Sequence, residues 1–179
     1  MLEKSGTSRF AFCGYEPMIN NYPILKTEKT EELTLYVIVD CAHLEHTFYR
    51  DLRKENDLLY RSLYQGTVNE MSAYASPILI QIIPDKNQTT IDMLQEVEKE
   101  HPAVLWLWSG KPFDLTFYDL QSLMQGEKED GQKIFVRYYD PRCIEMFVEY
   151  FQTNKETVDR IESVAGWAFG NAQEGYTYL

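Results

Sequence analysis

KIFVRYYDPR, residues 133–142, is the stretch on which the reading of the fold turns. Strand alternation sets Phe135, Arg137 and Tyr139 on one face and Val136 and Tyr138 on the other. Asp140 then reads as a helix cap and Pro141 as the first helical residue, because proline has no N–H to lose in the first turn. Ile144, Phe147, Val148 and Phe151 follow at i, i+3, i+4 and i+7, the stripe of an amphipathic helix. On this reading 133–140 is a long strand that ends where a helix begins.

Three other segments share its character: LTLYVIVD (33–40), SPILIQII (76–83) and AVLWLWSG (103–110). Their near-continuous apolar runs call for cover on both faces of a sheet. LLYRSLYQG (58–66) adds a shorter strand that ends in a glycine turn. Helical periodicity occupies 42–56, 89–101 and the stretch from Pro112 to Met124, so strands and helices alternate. Such alternation predicts an α/β fold with a mixed, largely parallel sheet of four or five strands flanked by helices. Residues 1–32 read as an irregular arm and 33–152 as the α/β core. Residues 153–179 read as a short helical and aromatic C-terminal extension, in which Trp167/Phe169 and Tyr176/Tyr178 alternate as in a hairpin.

A strand arginine needs a partner, because an unpaired buried charge is costly. Asp40 ends the first strand and Arg61 lies inside the second, so Asp40, Arg61, Arg137 and Asp140 are expected to form one charge network across the sheet. Paired carboxylates with an arginine suit acid/base chemistry, but ion pairs that specify a fold look the same. The framework role is the expectation. Cys41 stands at a strand end beside an expected helix start, yet a small buried cysteine is the commoner outcome. His43 and His46 lack the companions of a metal site, and no nucleophile elbow, dinucleotide or phosphate-loop motif is present. No cofactor or metal is therefore expected. Trp106 and Trp108 point to one face and read as core under a helix.

The net charge of -11 sets the chain against nucleic-acid phosphates and leaves basic protein partners as the natural counterpart. Three cysteines, none in a C-x-x-C pair, fit reduced thiols in a cytoplasm better than a disulfide framework. No apolar stretch has the length of a membrane span or the form of a signal peptide. The 13 tyrosines suit either a broad interaction surface or a tyrosine-rich core.

LYVIVDCA (35–42), YRSLYQGT (60–67), the apolar strand at 76–83 and IFVRYYDPR (134–142) together resemble the bacterial type VI secretion effector adaptors. These proteins are also called effector chaperones and were long catalogued as a domain of unknown function. The most specific piece is the R-[FY]-[YF]-D-P-R ending, and the likeness spans roughly 33–150. The resemblance implies a non-enzymatic cytoplasmic protein that holds a secreted effector and helps load it onto the VgrG-type spike. Asp40, Arg61, Arg137, Tyr139, Asp140 and Arg142 match the family's motif positions. Of these, Arg142 is expected to be exposed and to touch a partner. Partner specificity is expected at 1–32 and 166–179, with Trp167, Phe169, Tyr176 and Tyr178 as anchors, since interface hot spots favour such residues. Two other functions fit the composition: an immunity-type protein that inhibits a toxin, and a small enzyme using Asp40, Asp140 and Arg137.

Overall fold

The fold is that of a computed structural model describing residues 22–25, 32–44, 46–55, 57–128, 130–171 and 175–179. Most of the expected N-terminal arm, and the side chains of His43 and His46, lie outside the described residues. Six strands form the main sheet: β1 (Thr34–Asp40), β2 (Tyr60–Ser62), β3 (Pro77–Ile82), β4 (Val104–Ser109), β7 (Val164–Asn171) and β8 (Gly175–Tyr178). Their order is β2-β3-β1-β4-β7-β8. Two further strands, β5 (Gln125–Glu127) and β6 (Lys133–Phe135), make a separate hairpin. The helices are α1 (His46–Leu52), α2 (Gln88–Glu100), α3 (Phe113–Leu123), α4 (Ile144–Thr153) and α5 (Val158–Ile161).

Every pairing is antiparallel, so the expected largely parallel sheet is wrong. The cause lies in strand order. Since β3 and β4 both run antiparallel to β1, they run the same way as each other, and α2 does make a crossover between them. The crossover, however, passes over β1, which occupies the slot between them. Alternation in sequence reports the crossover and is silent about a strand inserted beneath it.

The apolar runs are covered on both faces, as their composition demands. Val37, Val39, Ile80, Trp106 and Trp108 pack with Phe48 and Leu52 of α1 and with Ile91 and Leu94 of α2. Tyr36, Ile38, Leu79, Leu105 and Leu107 pack with Phe113, Phe117 and Leu120 of α3 and with Ile144, Val148 and Phe151 of α4. Each such side chain taken out of water contributes about 1.5–3 kcal/mol. Opposite Trp106 and Trp108 in β7 stand Ala168 and Gly166, small residues that leave room for the indoles. Leu25 closes over Gly166, where a Cβ would come within 3.1 Å of Leu25 Cδ1.

Residues 133–140 are not the expected fourth strand of the sheet. Strand geometry stops at Phe135, and β6 is solvent-exposed along its length. It returns from β5 through a charged turn in which Gly131 has φ +81°. Tyr138 and Tyr139 are then both buried, which alternation on a strand forbids and a run of turns permits. The Tyr138 hydroxyl donates to the Leu120 carbonyl at 2.9 Å. Helix α4 begins at Ile144, so Pro141 is not its first residue; the Asp140 side chain accepts from the Arg142 N–H at 3.0 Å and caps a turn instead.

The C-terminal segment is no appended extension. β7 pairs with the central strand β4, and β8 follows it as the expected hairpin, so 164–178 supplies two strands of the main sheet. The helical part of 153–179 includes, beyond the end of α4, a single turn, Val158–Ile161. Among the described residues, no helix is long and apolar enough to cross a membrane.

Candidate functional site

The motif residues gather at the carboxyl end of β1. Asp40 is buried there, and its carboxylate accepts from the Ala42 N–H at 3.1 Å and from Arg137 Nη2 at 2.5 Å. The hydrogen bond to Asp40 raises the Arg137 pKa further. The Arg137 guanidinium also lies 5.9 Å from the centre of the Tyr139 ring, a cation–π distance. Asp140 is gripped in a fork by Arg142, with Nε at 2.9 Å from one oxygen and Nη2 at 2.6 Å from the other. Arg142 holds the Asp140 carboxyl below its ordinary range, opposed by partial burial. Arg142 is exposed, as expected, but its guanidinium is already engaged.

The fourth expected member of this network is elsewhere. Arg61 pairs with Asp114 at 2.8 Å and lies over the rings of Phe117 and Phe113, at 4.7 and 5.3 Å from their centres. β2 is an edge strand, with β3 between it and β1, so the Arg61 side chain reaches α3 rather than Asp40.

The chemistry open to this cluster is narrow. Both aspartates are salt-bridged acceptors, and Asp140, held low by Arg142, is a poor proton donor near neutrality. Burial, with the Asp40 charge beside it, pushes the Cys41 thiol up to about 12, which disfavours its thiolate. Burial also raises the pKa of Tyr138 and Tyr139. The arrangement ties the turn after β6 to the end of β1 and to the start of α4.

The C-terminal aromatics are spent largely inside the fold. Trp167 is 3% exposed and packs on the Tyr138 ring, so it is not the surface anchor expected of it. Phe169 packs against the same core. Tyr176 and Tyr178 lie on the opposite face, edge-on to Trp106 and stacked on Trp108 respectively. Tyr176 donates to Glu98 of α2 at 2.8 Å, and Tyr178 accepts from the Ile24 N–H at 3.2 Å.

One group of exposed apolar side chains surrounds a groove on the α3/α4 side of the sheet. Tyr118 of α3, Ile134 of β6, and Met146 and Tyr150 of α4 stand around a groove of about 770 Å³. Tyr118 and Met146 are 60% and 61% exposed, unusual for side chains of that size on helices with a buried face. These four residues did not figure among the candidates, although the signal was there. Tyr118 lies off the Phe113/Phe117/Leu120 stripe, and Met146 and Tyr150, one turn apart, lie off the Ile144/Val148/Phe151 stripe.

Residues 35–156 match the family model described as Domain of unknown function (DUF4123), and the chain belongs to that family. No curated protein and no solved structure matches it.

Proposed function

We propose that this DUF4123-family chain is a non-enzymatic adaptor. It binds a secreted effector in the bacterial cytoplasm and helps load it onto the VgrG-type spike of a type VI secretion apparatus. The observation that carries the reading is the groove at α3, α4 and the β5–β6 hairpin, where four large apolar side chains stand in solvent. Contiguous exposed apolar surface on a folded domain is characteristic of a protein-binding site. The salt-bridged state of Asp40 and Asp140 supports a framework role for the motif over acid/base catalysis. Family membership and the motif's likeness to effector adaptors agree with this.

The test is co-expression with the secreted protein encoded beside this chain, followed by size-exclusion chromatography with mass detection and an assay of the effector's toxicity within the complex. An adaptor gives a stable complex whose toxin is still active. A stable complex with a silenced toxin would assign an immunity role instead. Absence of any complex would remove the adaptor reading.

A further inference from the structure

We infer that the groove between α3, α4 and the β5–β6 hairpin seats a basic, amphipathic segment of the cargo protein, its large apolar side chains inside and its Lys or Arg side chains against the Glu145/Glu149 flank of α4. The inference rests on the adaptor reading and names what the cargo must present. Three observations lead to it.

The first is size. A groove of about 770 Å³ is in the range that encloses a drug-sized ligand, which for a protein partner means a few side chains of one segment rather than a domain. The second is the nature of its mouth. Met146 is a flexible thioether that adapts to differently shaped apolar partners. Tyr150 is steadied by Asn154, whose side-chain amide donates to the phenol oxygen at 2.7 Å.

The third is charge, and it selects the occupant. Glu127 and Glu156 line the groove, while Glu145 and Glu149 occupy the solvent-facing flank of α4 next to Met146 and Tyr150. None of the four forms a salt bridge among the described residues. Against them stand Lys133 and Arg160, and the Arg160 guanidinium donates to the Ser122 carbonyl at 3.4 Å. The lining itself is thus balanced, two carboxylates against two cations, and the excess negative charge is that of Glu145 and Glu149 on the exposed flank of α4, in a chain whose total is -11. An acidic segment meets repulsion at that flank, and an apolar one leaves Glu145 and Glu149 uncompensated. A segment with cations beside its apolar anchors satisfies both surfaces and is steered in by the long-range field.

The probe is a fluorescein-labelled Leu/Lys peptide of about 18 residues, roughly five helical turns, with its leucines at helical spacing. A scrambled peptide of the same composition and a Leu/Glu peptide of the same pattern are the comparators. Binding is read by anisotropy at physiological ionic strength. The variants are Tyr118→Ser/Met146→Ser, which removes apolar contact without changing charge, and Glu145→Gln/Glu149→Gln, which does the reverse. All sites are exposed, and thermal unfolding verifies that each variant folds. The expected result is capture of the patterned Leu/Lys peptide alone, weakened at least about tenfold by the first pair of substitutions and several-fold by the second.

Equal binding of the scrambled or the Leu/Glu peptide, no binding of the Leu/Lys peptide, or binding that ignores Tyr118→Ser/Met146→Ser would each overturn the inference. The same variant is then co-expressed with the neighbouring secreted protein. A complex that persists in the folded variant retires the groove and leaves the adaptor reading in place. Peptide capture at the groove without any complex retires the adaptor reading and leaves the groove.

Discussion

Arg137 and Asp40 form a lopsided ion pair: the aspartate side chain is 2% exposed and the arginine side chain 47%. The two partners are therefore not equivalent. Removing the arginine strands a buried carboxylate whose remaining hydrogen-bond partner among the described residues is the Ala42 N–H. Neutralising the aspartate leaves a guanidinium that water can already reach, and an asparagine oxygen keeps the bond to Ala42. Arg137→Ala is expected to cost about 2–3 kcal/mol and Asp40→Asn less than about half of that. Chemical denaturation of the two variants checks the order, and a larger cost for Asp40→Asn would refute the argument.

Arg61 invites a different prediction, because its ion pair is the weaker of its two attachments. Asp114 is 70% exposed, and exposed pairs contribute about 0–1 kcal/mol. The guanidinium plane over Phe113 and Phe117 is the more protected contact. Asp114→Ala is expected to leave the denaturation midpoint nearly unchanged. Arg61→Lys keeps a cation but loses the flat stacking surface, and is expected to destabilise by about 1 kcal/mol. Equal effects of the two substitutions would show that the ion pair, not the stacking, holds Arg61.

The reach of the sequence into this structure follows the same divide between local and distant causes. Pro112 does mark the start of α3, and the buried runs of β1, β3 and β4 fall where apolar periodicity puts them. Strand direction did not follow from them, because apolar runs report two covered faces and say nothing of which neighbour lies alongside. Arg137 and Asp40 meet although 97 residues separate them, as expected from the need of a buried charge for a partner. Arg61 was misplaced for want of strand order. In 133–140 the alternation was real in the letters and absent in the chain, for Tyr138 and Tyr139 turn inward together beneath α3 and α4. Tyr118, Met146 and Tyr150 were visible only as apolar side chains on the wrong face of a helix, a signal that stripe-reading discards.

Gly170 illustrates a constraint no pattern reveals. A Cβ there would lie 3.2 Å from Glu98 Oε1 and 3.3 Å from its Cδ. Glu98 cannot easily yield, because it accepts from Trp106 Nε1 and from the Tyr176 hydroxyl, each at 2.8 Å. Gly170→Ala is therefore expected to destabilise by about 1 kcal/mol, although alanine in a strand would otherwise stabilise by about 0.5–1 kcal/mol. In a Glu98→Ala background the same change should be neutral or stabilising. A double-mutant cycle measures the coupling, and additive effects would show that the two residues do not crowd one another.

Glu98 also sets a pH dependence whose sign can be worked out. Burial between α2, β4 and the β7–β8 hairpin raises its pKa from 4.5 to about 7, against the opposing hydrogen bonds from Trp106, Tyr176 and the Gly170 backbone. The folded carboxyl thus holds its proton at pH values where the unfolded one has lost it. Folding takes up a proton between the two values, so stability rises as pH falls from about 7 to about 4.5 and is level above that window. The full span is on the order of 2–3 kcal/mol. Asp140 works in the other direction: its lowered pKa supplies stability above the ordinary carboxylate range that is lost as pH falls through its folded value. The two effects together place the stability maximum near the lower end of the Glu98 window. Lowering the pH also relieves self-repulsion in a chain of charge -11, so the wild-type slope alone does not isolate Glu98. The comparison with Glu98→Gln does. Wild type is expected to gain about 4–8 °C more in melting temperature than Glu98→Gln between pH 8 and pH 5. Parallel profiles would show that the carboxyl titrates in its ordinary range and that the clamp on Trp106 and Tyr176 is solvated.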